Sequence, residues 1–241
     1  MAGPLSDRRA LLVAGALAAG GGVAWWVTRG PAVPELAARR RGELVFLESG
    51  GATDLSTAFD VGLGERSSTP AIEVGRAAVE ADDGAPRLGD GGPPLVAFLD
   101  YRCVACRRHA DALLAGARGG RWRLVVRDWP ILGDASTLAA RAALAARRQG
   151  AYWAFHADLM ATDFVPNDAL IDDLAARHGL DRARLRRDME GAAVADRLTR
   201  NGALARGLGG IGTPLYAVDG VVVSGAWSPA TLLAIAARHA A

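Results

Sequence analysis

The chain contains no lysine and only two cysteines, and its net charge is +2. All 28 basic residues are therefore arginine, which together with the abundant alanine and glycine indicates a codon bias rather than a function. Two cysteines are too few for a disulfide scaffold, and 241 residues are enough to bury a sizeable core without one. The charges form no basic stripe with interleaved aromatic residues, so the sequence gives no support to nucleic-acid binding.

One long uncharged run lies near the N-terminus. It covers residues 10–27, ALLVAGALAAGGGVAWWV, and follows Arg8 and Arg9. This length is near the minimum for a membrane-spanning helix, and the paired arginines favour a cytoplasmic N-terminus. We expect residues 1–29 to be an uncleaved inner-membrane anchor; the alternative is a signal peptide of the general or twin-arginine type. In both cases the rest of the chain is expected to be periplasmic or otherwise extracytoplasmic.

The middle of the chain gives weak structural signals. Residues 30–88 are rich in glycine, proline, serine and aspartate and are predicted to be a linker with short strands at 43–48 and 71–74. A stronger pattern begins at residues 94–100, PLVAFLD, which is typical of a strand buried on both faces. A helical spacing of apolar residues follows, and residues 121–129 then predict a second strand. This order predicts a βαβ unit.

A long helical block separates this unit from the last strands. The helical pattern covers about residues 135–208, with Asn167 predicted as an N-cap. Two β-rich runs then surround the turn signal Asp219-Gly220, and a final helix is predicted to begin near Pro229. The order predicts an α/β, thioredoxin-like domain over residues 89–241 that is split by a helical insertion.

Both cysteines lie in DYRCVACRRHA, at the start of the first predicted helix of this domain. Haem attachment requires a histidine directly after the second cysteine, where this chain has Arg107. A structural zinc site requires four ligands, and only His109 lies near enough to be a third. A redox pair therefore fits Cys103 and Cys106 better, and His109 is predicted to be a solvated surface residue. A thiol-based copper-binding module remains an alternative.

The predicted placement suits thiol chemistry. The N-terminus of a helix stabilises a thiolate through unpaired N–H groups and the helix dipole, which favours Cys103 as the reactive cysteine. Cys106 lies one turn further and would be shielded there, from where it would attack a mixed disulfide formed at Cys103. We expect Cys103 to be partly exposed and Cys106 to be more buried.

Three stretches carry a family resemblance, namely LVAFLDYRCVACRR, DWPILGDASTLAARAALAARRQGAYWAFHADLM and GIGTPLYAVDGVVVSGAW. Over about Gly89 to Ala241 the chain resembles the DsbA-like family of exported thiol–disulfide oxidoreductases. The resemblance implies a protein-disulfide oxidoreductase without a cofactor, in which Cys103 is the nucleophile and Cys106 the resolving cysteine, joined in a Cys103–Cys106 disulfide. It also implies a substrate-aligning loop at Thr213-Pro214, with a cis peptide bond. The implied partners are proteins with cysteine thiols or disulfides, and a membrane redox partner that recycles the dithiol.

The chain departs from the family pattern at the dipeptide between the cysteines. The family usually has proline first and often histidine or tyrosine second, whereas this chain has Val104-Ala105. The acid that many thioredoxins carry six residues before the first cysteine is Ala97 here, and Asp100 is either a proton relay or a residue that ends the strand. We therefore expect a Cys103 pKa below the free-thiol value of ~8.5 but above the ~3.5 of DsbA. A reductase or isomerase kept reduced by a membrane partner is the enzymatic alternative.

Overall fold

The computed structural model describes residues 34–48, 75–81 and 83–239. The predicted membrane segment at 10–27 and the predicted strand at 71–74 lie outside these ranges. Among the helices in the described ranges, none is both long and apolar enough to cross a membrane.

Seven strands of the described chain form one mixed sheet, and in chain order they cover Ala37–Arg41 (β1), Leu44–Glu48 (β2), Arg87–Leu88 (β3), Pro94–Leu99 (β4), Arg123–Asp128 (β5), Leu215–Val218 (β6) and Val221–Ser224 (β7). Their order across the sheet is β1-β2-β7-β6-β4-β5-β3. Strand β4 pairs in parallel with β5 and antiparallel with β6. Strand β2 pairs with β7, so part of the predicted linker extends the sheet.

Eight helices of the described chain pack around this sheet and cover Arg76–Glu80 (α1), Val104–Arg118 (α2), Asp134–Arg147 (α3), Tyr152–Ala161 (α4), Asp168–Arg177 (α5), Arg182–Met189 (α6), Ala192–Gly207 (α7) and Pro229–His239 (α8). Helix α2 connects the parallel strands β4 and β5, which confirms the predicted βαβ unit. Helices α3 to α7 lie between β5 and β6 in the chain and form the predicted helical block. The thioredoxin-like α/β architecture is therefore confirmed.

Local sequence signals account for several of these boundaries. Asn167 caps α5, since its side chain accepts a hydrogen bond of 2.9 Å from the backbone N–H of Leu170. Asp219 and Gly220 both have positive φ, 48° and 82°, as a tight turn between two strands requires. The cap and the hairpin turn were both predicted from the sequence and are confirmed.

The two faces of the sheet contact different helices. Val96 and Phe98 of β4 belong to a buried cluster that includes Val79 of α1 and Ala205 of α7. Because side chains alternate along a strand, Ala97 faces the opposite side. The buried side chains of α2 lie outside this cluster, and the charges of its Cys106 and of Cys103 act on Tyr216, whose side chain shares the face of Ala97, so α2 lies on that side. The ring of Trp122 packs so closely against α2 that a Cβ at Gly116 would lie 1.9 Å from it.

Candidate active site

Cys103 is the N-cap residue of α2. Its Sγ accepts a hydrogen bond of 3.2 Å from the backbone N–H of Cys106 and donates one of 3.3 Å to the carbonyl oxygen of Thr213. As predicted, Cys103 is the more accessible of the pair, but only 6% of its surface is exposed, against 0% for Cys106. The prediction that Cys103 is partly exposed is therefore wrong: Cys103 is almost fully buried, and the carbonyl of Thr213 contacts its sulfur.

The two thiols have opposite acidities. A hydrogen bond from the Cys106 side chain, together with hydrogen bonds from the Thr213 side chain and from the N–H groups of Ala105 and Cys106, outweighs burial and lowers the pKa of Cys103 to about 6. Burial, and then the neighbouring Cys103, raise the pKa of Cys106 far above its ordinary value. At neutral pH Cys103 is therefore a thiolate and Cys106 a thiol. This confirms the predicted lowering of the Cys103 pKa to a value between those of a free thiol and of DsbA.

The loop before β6 completes the site. The Thr213-Pro214 peptide bond is cis, as predicted. The carbonyl of Pro214 accepts a hydrogen bond of 3.1 Å from the N–H of Gly225, which ties the loop to the end of β7. The structure thus brings together Cys103, Cys106 and the Thr213-Pro214 loop. Both cysteines are free thiols in it, so the Cys103–Cys106 disulfide stays a prediction.

Asp100 is a structural residue rather than an open proton relay. Its carboxylate is 1% exposed and accepts four hydrogen bonds, from the backbone N–H groups of Arg102, Ile131 and Leu132 and from the hydroxyl of Ser136. These bonds join the start of α2 to the loop that follows β5. The carboxylate contacts only donors that the fold holds in place. These contacts support the alternative in which Asp100 ends the strand and organises the adjoining turn.

Three further polar side chains lie on or beside the first turns of α2. Arg102 donates a hydrogen bond of 2.9 Å to the carbonyl of Leu132. Arg107 binds Asp163 at 2.9 Å and so ties α2 to the loop after α4. His109 is half-buried rather than solvated, and burial lowers its pKa. In the described ranges, no cluster of three or more histidines, cysteines or carboxylates could hold a metal ion.

A buried polar network that the sequence did not reveal lies beside the first turn of α2. The carboxylate of Asp128 is fully buried and accepts a hydrogen bond of 3.1 Å from the hydroxyl of Tyr152. Burial raises the pKa of Asp128 to about 7 and lowers that of His156 to about 3. The hydroxyl of Tyr101 is 2.9 Å from Nδ1 of His156. The apolar run of β5 was the available signal, since a strand buried on both faces has its end residues inside as well.

Tyr216 of β6 is a further buried polar residue that the sequence did not reveal. Its side chain is 0% exposed, and within the described part of the chain its hydroxyl has no hydrogen-bond partner. Leaving a buried hydroxyl without a partner costs about 1–3 kcal/mol. Burial, then the charges of Cys106 and Cys103, raise the pKa of this phenol. The phenol therefore lies within electrostatic range of both sulfurs.

The fold has counterparts among known proteins. Residues 119–236 match the family model of the DSBA-like thioredoxin domain. The solved structure of a thioredoxin-like oxidoreductase from Silicibacter pomeroyi DSS-3 is 39% identical in sequence, with a TM-score of 0.63, and the match covers 68% of this chain and 97% of that chain. The chain belongs to the DsbA-like thioredoxin family. DsbA-like proteins exchange thiols and disulfides with protein substrates.

Further relatives include more distant DsbA-like proteins and one larger protein. The thiol-disulfide exchange protein alpha-DsbA2 from Wolbachia pipientis is 26% identical, with a TM-score of 0.60 and coverage of 66% of this chain and 89% of that one. A periplasmic thioredoxin-like protein from Salmonella enterica serovar Typhimurium is 27% identical, with a TM-score of 0.60 and coverage of 68% and 94%. The Na+/H+ antiporter NhaA of Herminiimonas arsenicoxydans is 31% identical over 144 residues, or 58% of this chain, and the chain spans 23% of that antiporter's length.

Proposed function

We propose that this DsbA-like protein is a protein-disulfide oxidoreductase that acts on exported proteins through Cys103 and Cys106. One observation carries the proposal: the Cys103 sulfur, with a pKa of about 6, lies at the start of α2 between Cys106 and the Thr213-Pro214 loop. A thiolate at neutral pH with a protonated thiol beside it has the two reactivities that a dithiol exchange needs.

In the oxidising direction, a substrate thiolate attacks Sγ of Cys103 in the Cys103–Cys106 disulfide. A bond forms between the substrate sulfur and Cys103, while Cys106 leaves as a thiolate and takes up a proton. A second substrate thiolate then attacks the substrate sulfur of the mixed disulfide, and Cys103 leaves as a stabilised thiolate. Two substrate thiols are thereby oxidised to one disulfide, and the protein dithiol is reduced; a membrane redox partner would reoxidise it.

The surroundings of Cys103 suit unfolded or extended protein substrates. Four exposed apolar side chains, here called the apolar rim, belong to the segments that hold the site: Val104 (68% exposed), Ile131 (39%), Leu132 (42%) and Ile211 (85%). Exposed apolar side chains grouped at one place mark interaction surfaces. Ile211 lies two residues before Thr213, whose backbone would align the substrate strand. We infer a preference for cysteines flanked by apolar side chains.

The reactivity of Cys103 with pH tests the proposed nucleophile. Only the thiolate reacts with iodoacetamide, so the alkylation rate of the reduced protein is expected to rise with pH and to reach half of its maximum at about pH 6. Replacing Ala105 by His should add a donor to the thiolate, which moves this midpoint lower and makes the reduction potential more oxidising by about 30 mV or more. Rates of alkylation and equilibration with glutathione buffers measure both effects.

Ala115→His, on an exposed position of the same helix, is the matched control and should change neither quantity. The wild-type potential is expected between ~−120 mV and ~−270 mV. A midpoint near pH 8.5 would contradict the proposed nucleophile, and a wild-type potential at the reducing limit would favour the reductase or isomerase alternative. An Ala105→His protein with an unchanged potential would refute the role given to the dipeptide.

We also propose that the catalytic domain lies outside the cytoplasm, behind an N-terminal anchor or signal at residues 1–29 and a connecting segment at 30–88. The run at 10–27 and the paired arginines before it support this topology. Alkaline phosphatase fused after residue 241 should be active, because it folds only after export. An inactive fusion in cells that contain the full-length fusion protein would contradict the topology.

A further inference from the structure

The hydroxyl of Tyr216 differs from those of the other two tyrosines in the chain. Tyr101 is hydrogen-bonded to His156, and Tyr152 donates to Asp128. Tyr216 is just as deeply buried, yet its hydroxyl has no partner in the part of the chain that the structure describes. Buried hydroxyls nearly always have a hydrogen-bond partner, so one that lacks a partner in a reactive site calls for an explanation.

The sheet register places this hydroxyl on the side of the two cysteines. Tyr216 lies directly opposite Ala97 in the antiparallel pair of β6 and β4, so both side chains point to the same face. Its neighbour Leu215 points to the other face, into the buried cluster with Val96 and Phe98. The face shared by Tyr216 and Ala97 is the face covered by α2, which carries Cys106. Ala97 offers only a methyl group, so it leaves room for the phenol and supplies no polar group.

Of the two sulfurs, Sγ of Cys106 is the one whose negative charge lacks sufficient stabilisation. Cys103 already receives hydrogen bonds that stabilise its thiolate, whereas burial strongly disfavours a negative charge on Cys106. We propose that the hydroxyl of Tyr216 donates a hydrogen bond to Sγ of Cys106 while that sulfur carries negative charge, and that it thereby speeds the resolving step in both directions. This role rests on the proposed function.

The step balances without any further reactant. Cys106 loses its proton to solvent and attacks Sγ of Cys103 in the mixed disulfide; the Cys106–Cys103 bond forms and the bond from Cys103 to the substrate sulfur breaks. The substrate leaves as a thiolate, which takes a proton from solvent unless it is acidic enough to stay charged. Tyr216 keeps its own proton throughout, because it acts only as a donor to the transient charge.

Tyr216→Phe removes the hydroxyl and retains the ring. A two-step reaction distinguishes an effect on the resolving step at Cys106 from an effect on the first attack by Cys103. Reduced protein mixed with dithiobis(nitrobenzoate) releases one coloured thiolate when Cys103 attacks and a second when Cys106 resolves. We expect the second phase to slow at least about tenfold, since a hydrogen bond to a charged group is lost, and the first to change less than about twofold. The equilibrium with glutathione should stay within about twofold, because resolution and its reversal slow equally.

Tyr152→Phe is the matched control, since it removes a buried hydroxyl that is bonded to Asp128 rather than directed at the cysteines. It should lower the urea midpoint of unfolding and leave both phases within about twofold of the wild type. Tyr216→Phe should not lower that midpoint, because the hydroxyl makes no hydrogen bond within the part of the chain that the structure describes. A second phase of wild-type speed in Tyr216→Phe would overturn the role of Tyr216, whereas a wild-type protein that releases no second thiolate would overturn the proposed function itself.

Discussion

Replacing Cys103 by serine is expected to lower the rate of thiol–disulfide exchange by at least about a thousandfold, because a hydroxyl is not ionised at neutral pH and cannot attack a disulfide. The remaining thiol of Cys106 cannot substitute for it. Cys106 is fully buried, and its surroundings hold its pKa far above the ordinary value, so it is neither accessible nor ionised. Release of thiolate from dithiobis(nitrobenzoate) and the reduction of a protein disulfide both measure this loss.

Cys106→Ser is the informative companion variant. It should release one equivalent of coloured thiolate at close to the wild-type rate and then stop, leaving a stable mixed disulfide at Cys103 that mass spectrometry can identify. Because the hydrogen bond from the Cys106 side chain is the largest favourable contribution to the low pKa of Cys103, serine, which can still donate, should preserve more of that low pKa than alanine. Rapid exchange by Cys103→Ser, or a mixed disulfide on Cys106, would reverse the proposed roles.

Replacing Asp100 by alanine is expected to reduce the free energy of unfolding by about 3 kcal/mol or more. The change removes one buried carboxylate and leaves four donors without their acceptor, among them the N–H groups of Ile131 and Leu132 and the hydroxyl of Ser136. The loop after β5 should consequently loosen, together with Ile131 and Leu132 of the apolar rim. Urea unfolding of the reduced proteins measures the loss, with Asp111→Ala, an exposed acid on α2, as the control that should change little.

Asp100→Asn separates a structural role from a proton relay. An amide keeps the shape of the carboxylate but replaces one acceptor oxygen with a donor that faces other donors, so a structural Asp100 predicts an intermediate loss of stability. Both exchange phases should then stay within about tenfold of the wild type at a temperature where the variant is folded. A fully stable Asp100→Asn protein with a slow resolving phase would instead support a role of Asp100 as a proton relay.

The contacts of Asp100 illustrate which properties of the site can be predicted from its sequence. That a residue ends β4 and begins the turn into α2 follows from the apolar run before it and the helical spacing after it, both of which are local. That its carboxylate binds Ile131 and Leu132 depends on the return of the chain through β5, about thirty residues later. No local sequence pattern predicts that Ile131 and Leu132 lie next to Asp100, so the sequence left both roles of Asp100 open.

Tyr216 and Asp128 show the same limit for buried polar groups. Tyr216 lies within β6 and Asp128 ends β5, and neither position is distinguished by its local sequence. Whether such a side chain is solvated, bonded or alone inside the protein depends on the strand beside it and the helix above it. Tyr216 has Ala97 opposite it, and Asp128 has the hydroxyl of Tyr152. These neighbours are distant in the chain, and tertiary packing alone brings them together.

The sequence by itself determined the order of strands and helices from residue 94 onward and the dithiol at a helix start. These depend on periodicity, capping and turn residues, which act over a few positions. The Thr213-Pro214 loop beside the dithiol was implied by the family resemblance. Only the tertiary structure decided how far Cys103 is covered, that Asp100 binds the adjoining loop, and that the phenol of Tyr216, which has no partner among the described residues, lies on the side of Cys106. Burial and hydrogen bonding in a folded chain depend on groups separated by tens of residues, and free energies of a few kcal/mol at such contacts set the acidity of each thiol.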